Sequence, residues 1–338
     1  MASNTGKKAK HDDDDDRISK LPDSILSHIL SLLPIKDAVS TSTLSTRWQH
    51  LFASMFILDV DFHSFRLCPL HTVKSFINFM GKLFFLHTEG RIEQFRLNYI
   101  DIAGIDASFV CKWIFAALWR RVKEIDLVFT PQSSYFPMLP TALLFTGRTL
   151  VRLKLEFPYV MTVPTHAYLP SLKALELQSI KFEDDDSVKR LLTSCPVLED
   201  LSISHCYMGN MKCLQISNPS LKVLNRMKTW KRMGLFKFLQ FSPNLQTLVI
   251  SNVSNEITFP MEKVPSCVAY QLKEFKVLDF DDESSLFKMV TYILKNAKVL
   301  NKLTICTTRL LEAEEKFRIT KQLLSLPRCS NKCQLIAF

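Results

Sequence analysis

Residues 194–203 read SCPVLEDLSI and residues 242–250 read SPNLQTLVI. Both carry the frame apolar-x-x-apolar-x-apolar, at Leu198/Leu201/Ile203 and at Leu245/Leu248/Ile250. The end of the frame alternates, as a strand with one buried face requires, because successive strand side chains point to opposite faces. Towards the N-terminus the frame returns at Ile92/Phe95/Leu97, Val122/Ile125/Leu127, Leu150/Leu153/Leu155 and Leu172/Leu175/Leu177. Towards the C-terminus it returns at Leu272/Phe275/Val277 and Leu300/Leu303/Ile305. Successive starts lie roughly 22 to 30 residues apart, close to the period of leucine-rich repeats.

Between frames the spacing turns helical. Leu286, Met289, Val290, Ile293 and Leu294 mark a helix over 285–296, and Asp186 is placed to cap another over 187–193, ahead of Cys195-Pro196. Helix and strand stacked repeatedly predict an α/β repeat protein: a leucine-rich repeat solenoid, parallel strands inside and helices outside. One frame is degraded, because Leu221/Leu224 is followed by Arg226, and the basic stretch 226–240 predicts a distorted or shortened turn. The central variable strand positions, which should face the concave side, run Arg96, Asp126, Lys154, Glu176, Ser202, Asn225, Val249, Lys276 and Thr304. Their signs alternate, which suits a protein or peptide better than a phosphate backbone.

Ahead of the repeats the pattern changes. Ile25, Leu26, Ile29, Leu30 and Leu33 recur at helical spacing between Pro22, which suits a helix start, and Pro34, which stops it. Asp37 is placed to cap a second short helix carrying Ala38 and Val39, and a third begins near Ser45 and presents Trp48, Leu51 and Phe52. Three helices in under about 40 residues enclose little core, so their apolar faces need a partner subunit or the next domain. A helical cap on the solenoid is the plainer reading of the periodicity.

The residues themselves carry more. The run D-R-I-S-x-L-P-D-x-I-L-x-H-I-L-S-x-L-P-x-K-D-A-V-x-T-S-x-L-S-x-R-W closely resembles the F-box of plant F-box proteins. Beyond Val264, the chain through YILKNAKVL to CQLIAF looks like the FBD region of plant F-box/leucine-rich repeat proteins. The resemblance implies a three-helix F-box over 17–53, a solenoid over 54–263 and an FBD-like region over 264–338 that continues the repeats. It also implies docking on a Skp-type adaptor, which joins a cullin and a RING subunit. By resemblance, Leu21, Pro22, Ile25, Leu26, Ile29, Leu33, Pro34 and Val39 enter that interface, and Leu44 and Trp48 support it or the small core. Leu51-Phe52 departs from the family's frequent Leu-Trp but keeps a large aromatic.

Composition narrows the field. Among 338 residues, 47% are hydrophobic and 22% charged, a globular balance with length for two or three domains. Only 7 glycines occur, and neither G-x-G-x-x-G nor a P-loop is present, so a Rossmann fold or Gly-rich phosphate cradle has little raw material. The net charge of +10 raises nucleic-acid binding, whose densest support is Lys222, Arg226, Lys228, Lys231, Arg232 and Lys237; elsewhere the cations are dispersed. Residues 1–16, with Lys7, Lys8, Lys10 and the acidic run 12–16, read as a disordered tail. With no signal peptide, no membrane-length apolar run and 9 cysteines without disulfide-scaffold spacing, the expectation is an intracellular protein of nucleus or cytoplasm.

Catalytic and metal readings find little support. Cys195, His205, Cys206 and Cys213 lack the paired spacing of a zinc site, as do Cys329 and Cys333; Cys206 instead fills the small buried position of its repeat. The carboxylates at 184–186 and 279–283 sit at helix starts, and Trp113, Phe115, Leu118 and Trp119 read as core. No cofactor is expected. The reading is a non-catalytic substrate receptor of a ubiquitin ligase that recruits a protein substrate through its repeats. A repeat scaffold that has lost adaptor binding, or a nucleic-acid-binding protein, stands as the alternative.

Overall fold

A computed structural model describes residues 17–65, 72–87, 92–100, 107–130, 141–207, 218–227, 235–251, 263–280, 284–308 and 312–337. The expected tail over 1–16 lies outside them, as do Cys213 and Lys228, Lys231 and Arg232 of the basic cluster.

Three short helices come first: α1 (Asp23–Leu32), α2 (Ile35–Thr41) and α3 (Thr46–Ala53). Leu33 leaves α1 extended, at ψ 148°, as a residue before proline must. Asp37 does not cap α2. Pro34 already sets the extended turn into that helix, and Asp37 lies in the first turn, where its charge meets the positive end of the helix dipole. Ser45 does cap α3, its hydroxyl accepting from the Trp48 N–H at 3.4 Å. Leu26, Leu30, Ile35, Ala38, Leu51 and Phe52 are buried between these helices and the next elements.

Residues 54–56 then lead straight into β1 (Ile57–Asp61), the first strand of the sheet. There follow α4 (Thr72–Leu86), β2 (Gln94–Ile100), α5 (Ala107–Trp119), β3 (Glu124–Thr130), α6 (Thr141–Leu144) and β4 (Arg152–Glu156). The middle turns comprise β5 (Val160–Met161), β6 (Ala174–Gln178), β7 (Lys181–Phe182), α7 (Asp185–Thr193), β8 (Asp200–Ser204) and β9 (Val223–Met227). The last turns are α8 (Leu235–Gln240), β10 (Thr247–Ser251), α9 (Ser266–Tyr270), β11 (Glu274–Phe280), α10 (Ser284–Asn296), β12 (Lys302–Thr307), α11 (Ala313–Leu324) and β13 (Gln334–Ala337).

Among the described residues these strands make one 11-stranded sheet, ordered β1-β2-β3-β4-β6-β8-β9-β10-β11-β12-β13, with every neighbouring pair parallel. Strands β5 and β7 pair separately at the strand ends. The register stacks frame on frame: Leu153, Leu175, Leu201, Leu224, Leu248, Phe275 and Leu303 stand in one line, all buried. Each such side chain contributes about 1.5–3 kcal/mol by leaving water, and each depends on neighbouring repeats to be covered. Ser179, His205 and Asp279 all take left-handed φ values, 61°, 54° and 51°, two residues after the last frame position of their repeats. The bend ends β6 and β8, whereas in β11 it lies inside the strand, where the pairing with β12 shifts register before Phe280. The hydrophobic core runs from Leu26 to Cys333 without a break.

Two expectations need correction, and the degraded repeat takes a specific form. The cap of α7 is Asp184, not Asp186: its Oδ1 accepts from the Ser187 N–H at 2.6 Å, because the chain is still extended at Asp184 and already helical by Asp185. In the degraded repeat β9 keeps its place in the sheet with a distorted register, and residues 228–234 of the 226–240 stretch lie outside the described residues. The β9–β10 register shifts so that Met227, instead of Arg226, stands opposite Ile250. One extra residue thus bulges β9 between Leu224 and Met227. On α5, Trp113 is buried and Leu118 packs on the core, but Phe115 and Trp119 are 52% and 76% exposed and stack on each other at 6.1 Å. Four residues apart, they share the stripe of α5 that points away from the sheet.

Candidate functional site

Two surfaces collect the residues singled out by sequence. The first is the N-terminal helical module. α1 is apolar on two stripes: Leu26 and Leu30 turn inward and are fully buried, while Ile25, Ile29 and Leu32, spaced i, i+4, i+7, are exposed. Leu26 is therefore a core residue, not a contact residue, since a side chain one position from Ile25 lies about 100° round the helix. Leu33 and Leu44 are exposed, Leu44 at 68%. Pro22 and Pro34 are exposed at the starts of α1 and α2, and Leu21, Val39 and Trp48 are half-buried against the core. On another side of α1, a separate cleft of about 220 Å³ opens between α1, α2 and β1, lined by Ser27, Ser31, Leu33, Ile35, Phe56 and Ile57.

Sequence reasoning passed over two members of this surface. Leu32, 72% exposed, was findable from its seven-residue spacing to Ile25. Arg47 was not, because its role is tertiary. Its guanidinium donates to Ser19 O and Leu21 O, each at 2.6 Å, and pairs with Asp23, fixing the segment that leads into α1 onto α3.

The second surface is the concave face of the sheet. Asp59, Arg96, Asp126, Lys154, Glu176, Ser202 and Asn225 stand side by side across β1 to β9, and Val249, Lys276 and Thr304 align across β10 to β12. The row is not chemically uniform. Arg96 lies 3.4 Å from Asp59 and 3.7 Å from Asp126, and Lys154 lies 3.7 Å from Asp126. The alternating signs of this half are spent on each other across the strands. Burial holds the Asp126 carboxyl above the usual aspartate range, with Lys154 and Arg96 pulling the other way. Thr304 is buried and so does not belong to an accessible surface, a correction to its expected role.

Beyond β4 the pairing stops. A groove of about 320 Å³ opens over β4 to β11, lined among others by Arg152, Glu176, Asp200, Ser202, Asn225 and Lys276. Burial also raises the Asp200 carboxyl, against the opposing charge of Arg152 and a 3.4 Å hydrogen bond donated by Asn225 Nδ2. Arg152 and Asp200 lie in the strand row beside the one read from sequence, which is why the central position alone did not reveal them.

Three buried cysteines are set for packing. Burial pushes the thiols of Cys195 and Cys206 up to about 11 and that of Cys267 to about 12, far from the thiolate a nucleophile or metal ligand needs. Cys206 is fully buried at its repeat position, its Sγ 3.4 Å from Ser204 O.

Comparison with known proteins agrees with this architecture. The family profile "FBD-associated F-box protein At5g56370, LRR repeats" matches residues 110–330, and the F-box domain profile matches residues 18–58. The chain is 34% identical over 284 residues, 83% of its length, to the FBD-associated F-box protein At4g10400 of Arabidopsis thaliana. It is 36% identical over 237 residues to the Arabidopsis F-box/LRR-repeat protein At4g14103, and 34% identical over 216 residues to the Arabidopsis F-box/FBD/LRR-repeat protein At5g56420. The matched regions span 66%, 60% and 49% of those relatives' own lengths. An F-box at the N-terminus, leucine-rich repeats stacked behind it and an FBD-type C-terminal stretch place the chain in the family of plant F-box/leucine-rich repeat proteins.

Proposed function

We propose that the chain is the substrate-recognition subunit of an SCF-type cullin–RING ubiquitin ligase, acting in the nucleus or cytoplasm. The F-box docks on a Skp-type adaptor, through which the cullin and RING subunits are reached, and the concave face holds a protein substrate. The chain supplies no covalent chemistry. Its contribution is proximity: holding a substrate lysine near the charged conjugating enzyme raises effective concentration.

The observation that carries this reading is the exposed stripe Ile25, Ile29 and Leu32 with Leu33 beside it, on a module whose core is already filled by Leu26 and Leu30. An apolar face left over after the core is complete is what a partner subunit would cover. The test is co-purification of the full chain with a plant Skp-type adaptor, comparing wild type with Ile25→Lys/Ile29→Lys. Wild type should form a stable complex and the double variant should not, although both stay folded by circular dichroism. A folded wild type that binds no adaptor would leave a repeat scaffold as the better description.

A further inference from the structure

The concave face divides into two chemically different halves, and only one has charge to spare. From β1 to β4 the cations and carboxylates pair across strands: Arg96 with Asp59 and Asp126, Lys154 with Asp126. A ligand there would have to break pairs already made. From β6 onward the balance is different. Asp200 faces the guanidinium of Arg152, Glu176 stands between Arg152 and Lys154, whose ammonium is shared with Asp126, and neither Glu176 nor Asp200 makes an ion pair within 4.0 Å among the described residues. Lys276, on β11, is exposed and has neither hydrogen bond nor ion pair among the described residues. Between these ends the groove floor is neutral: Ser202, Asn225 and Val249, with Leu278 beside Lys276.

We infer that this groove binds an extended segment of the substrate that carries a basic side chain at one end, an acidic one at the other, and an apolar residue between. The inference rests on the reading of the chain as a substrate receptor and names the class of substrate segment that it takes. The basic side chain meets Glu176 and Asp200, the acidic one meets Lys276, and the apolar one lies over Val249 and Leu278. The spacing follows from the sheet. Strands β8 and β11 are three steps apart, and at about 4.8 Å per step their side chains stand about 14 Å from each other. An extended peptide crossing the strands advances about 3.4 Å per residue, so the two charged residues sit about four positions apart. The neutral floor also sets selectivity: a segment with a charge at its centre loses hydration over Val249 and gains no opposite charge.

The test uses the full chain, immobilised by a terminal tag, and a displayed library of random dodecapeptides as the probe. Selection on wild type should enrich peptides with Lys or Arg and, about four residues away, Asp or Glu. Synthetic peptides from that selection should bind Lys276→Glu about tenfold more weakly, and a fresh selection on Lys276→Glu should replace the acidic residue with a basic one. Asp200→Lys should reverse the other end. Lys332→Glu, remote on the C-terminal turn, should change neither. Unchanged charge patterns after either reversal would overturn the inference, as would a wild-type selection no better than that on a folded Glu176→Gln/Asp200→Asn/Lys276→Met chain, which keeps the groove's shape without its charges. Adaptor binding is measured separately on the same preparations. A groove that fails while the adaptor binds sinks this inference alone, whereas loss of adaptor binding with intact peptide selection sinks the ligase reading alone.

Discussion

Leu26 and Ile29 lie three residues apart on α1, and the structure assigns them opposite tasks. Leu26 is fully buried among Leu30, Ile35 and Phe52, whereas Ile29 is exposed. Leu26→Ala removes a side chain from a packed core, which costs about 2–5 kcal/mol. The three-helix module has few other buried side chains, and repeat proteins lose stability locally, so this cost should fall on the module and not on the distant repeats. At about 3 kcal/mol, the opening equilibrium of α1 rises by a factor of about a hundred. Amide hydrogen exchange resolved to α1–α3 reads that change directly, with the amides of β11 and β12 as the unaffected reference. Ile29→Asp removes no core contact, so its stability cost should stay within about 0.5 kcal/mol, about a twofold change in exchange. The same substitution places a carboxylate in the apolar stripe and should abolish capture of a Skp-type adaptor. Comparable exchange increases in the two variants would refute this division of α1. So would adaptor binding that survives Ile29→Asp in a folded chain.

Arg47→Ala should loosen the segment leading into α1, since it removes donors to Ser19 O and Leu21 O together with the Asp23 pair; side-chain exposure limits the cost to about 1 kcal/mol, read as faster exchange at residues 19–25. Asp126→Asn tests the cross-strand row, with a net effect within about 1 kcal/mol at neutral pH because desolvation outweighs its two cations. The sign follows from the raised carboxyl: the folded state holds its proton to higher pH than the unfolded chain, so wild-type stability from this group falls as pH rises through that window. The Asn variant should therefore equal or exceed wild type at pH 7, and its advantage should shrink on acidification; urea midpoints across pH 4–7 check it, and a loss above about 2 kcal/mol at pH 7 would contradict it. Thiol labelling of the native chain should modify exposed Cys329 rapidly and leave Cys195, Cys206 and Cys267 unlabelled until urea unfolds the repeats.

The sheet was legible where the apolar frame stood clear of other signals, and less so at its ends. Strand β1 obeys the frame through Met55, Leu58 and Val60, but only residues 54–56 separate it from α3, so its signal merges with the helical module before it. Strand β13 has Leu335 and Ala337 in register with Leu303 and Ile305, yet the leading frame position falls on Lys332, and two small matches do not mark a strand alone. Register shifts are equally hidden. Nothing local announces that one extra residue before Met227 would keep Arg226 from standing opposite Ile250. Caps chosen by spacing failed at Asp37 and Asp186 because three neighbouring acids, or a proline, compete for one turn, and only backbone angles decide among them. On the concave face the sequence located the central row, but not which of its charges neutralise each other. That depends on strand order, which brings Asp59 beside Arg96 from 37 residues away.

The connection between the two surfaces matters as much as either one. A receptor that works by proximity gains little if its docking module swings freely, because the substrate lysine then samples a large volume and the effective concentration falls. Here the join is packed. Phe52 of α3 is fully buried and meets the ring of His87 edge-on at 4.8 Å, just beyond α4. His87 is itself held by a 2.9 Å contact from Nδ1 to Leu83 O, and Arg120 at the end of α5 donates to both His87 O and Phe84 O. Burial keeps the His87 imidazole below its ordinary range, so it is neutral at cellular pH and places no charge in the seam. Strand β1 completes the join by hydrogen-bonding the residues that follow α3 into the sheet through the Glu93 and Gln94 N–H groups at Phe56 O. The F-box is thus the first layer of the solenoid rather than a bead tethered to it. The distance from the Ile25–Ile29 stripe to the Lys276 groove is set by the stack of repeats between them, so inserting or deleting one repeat would move the groove relative to the stripe without changing the residues of either surface.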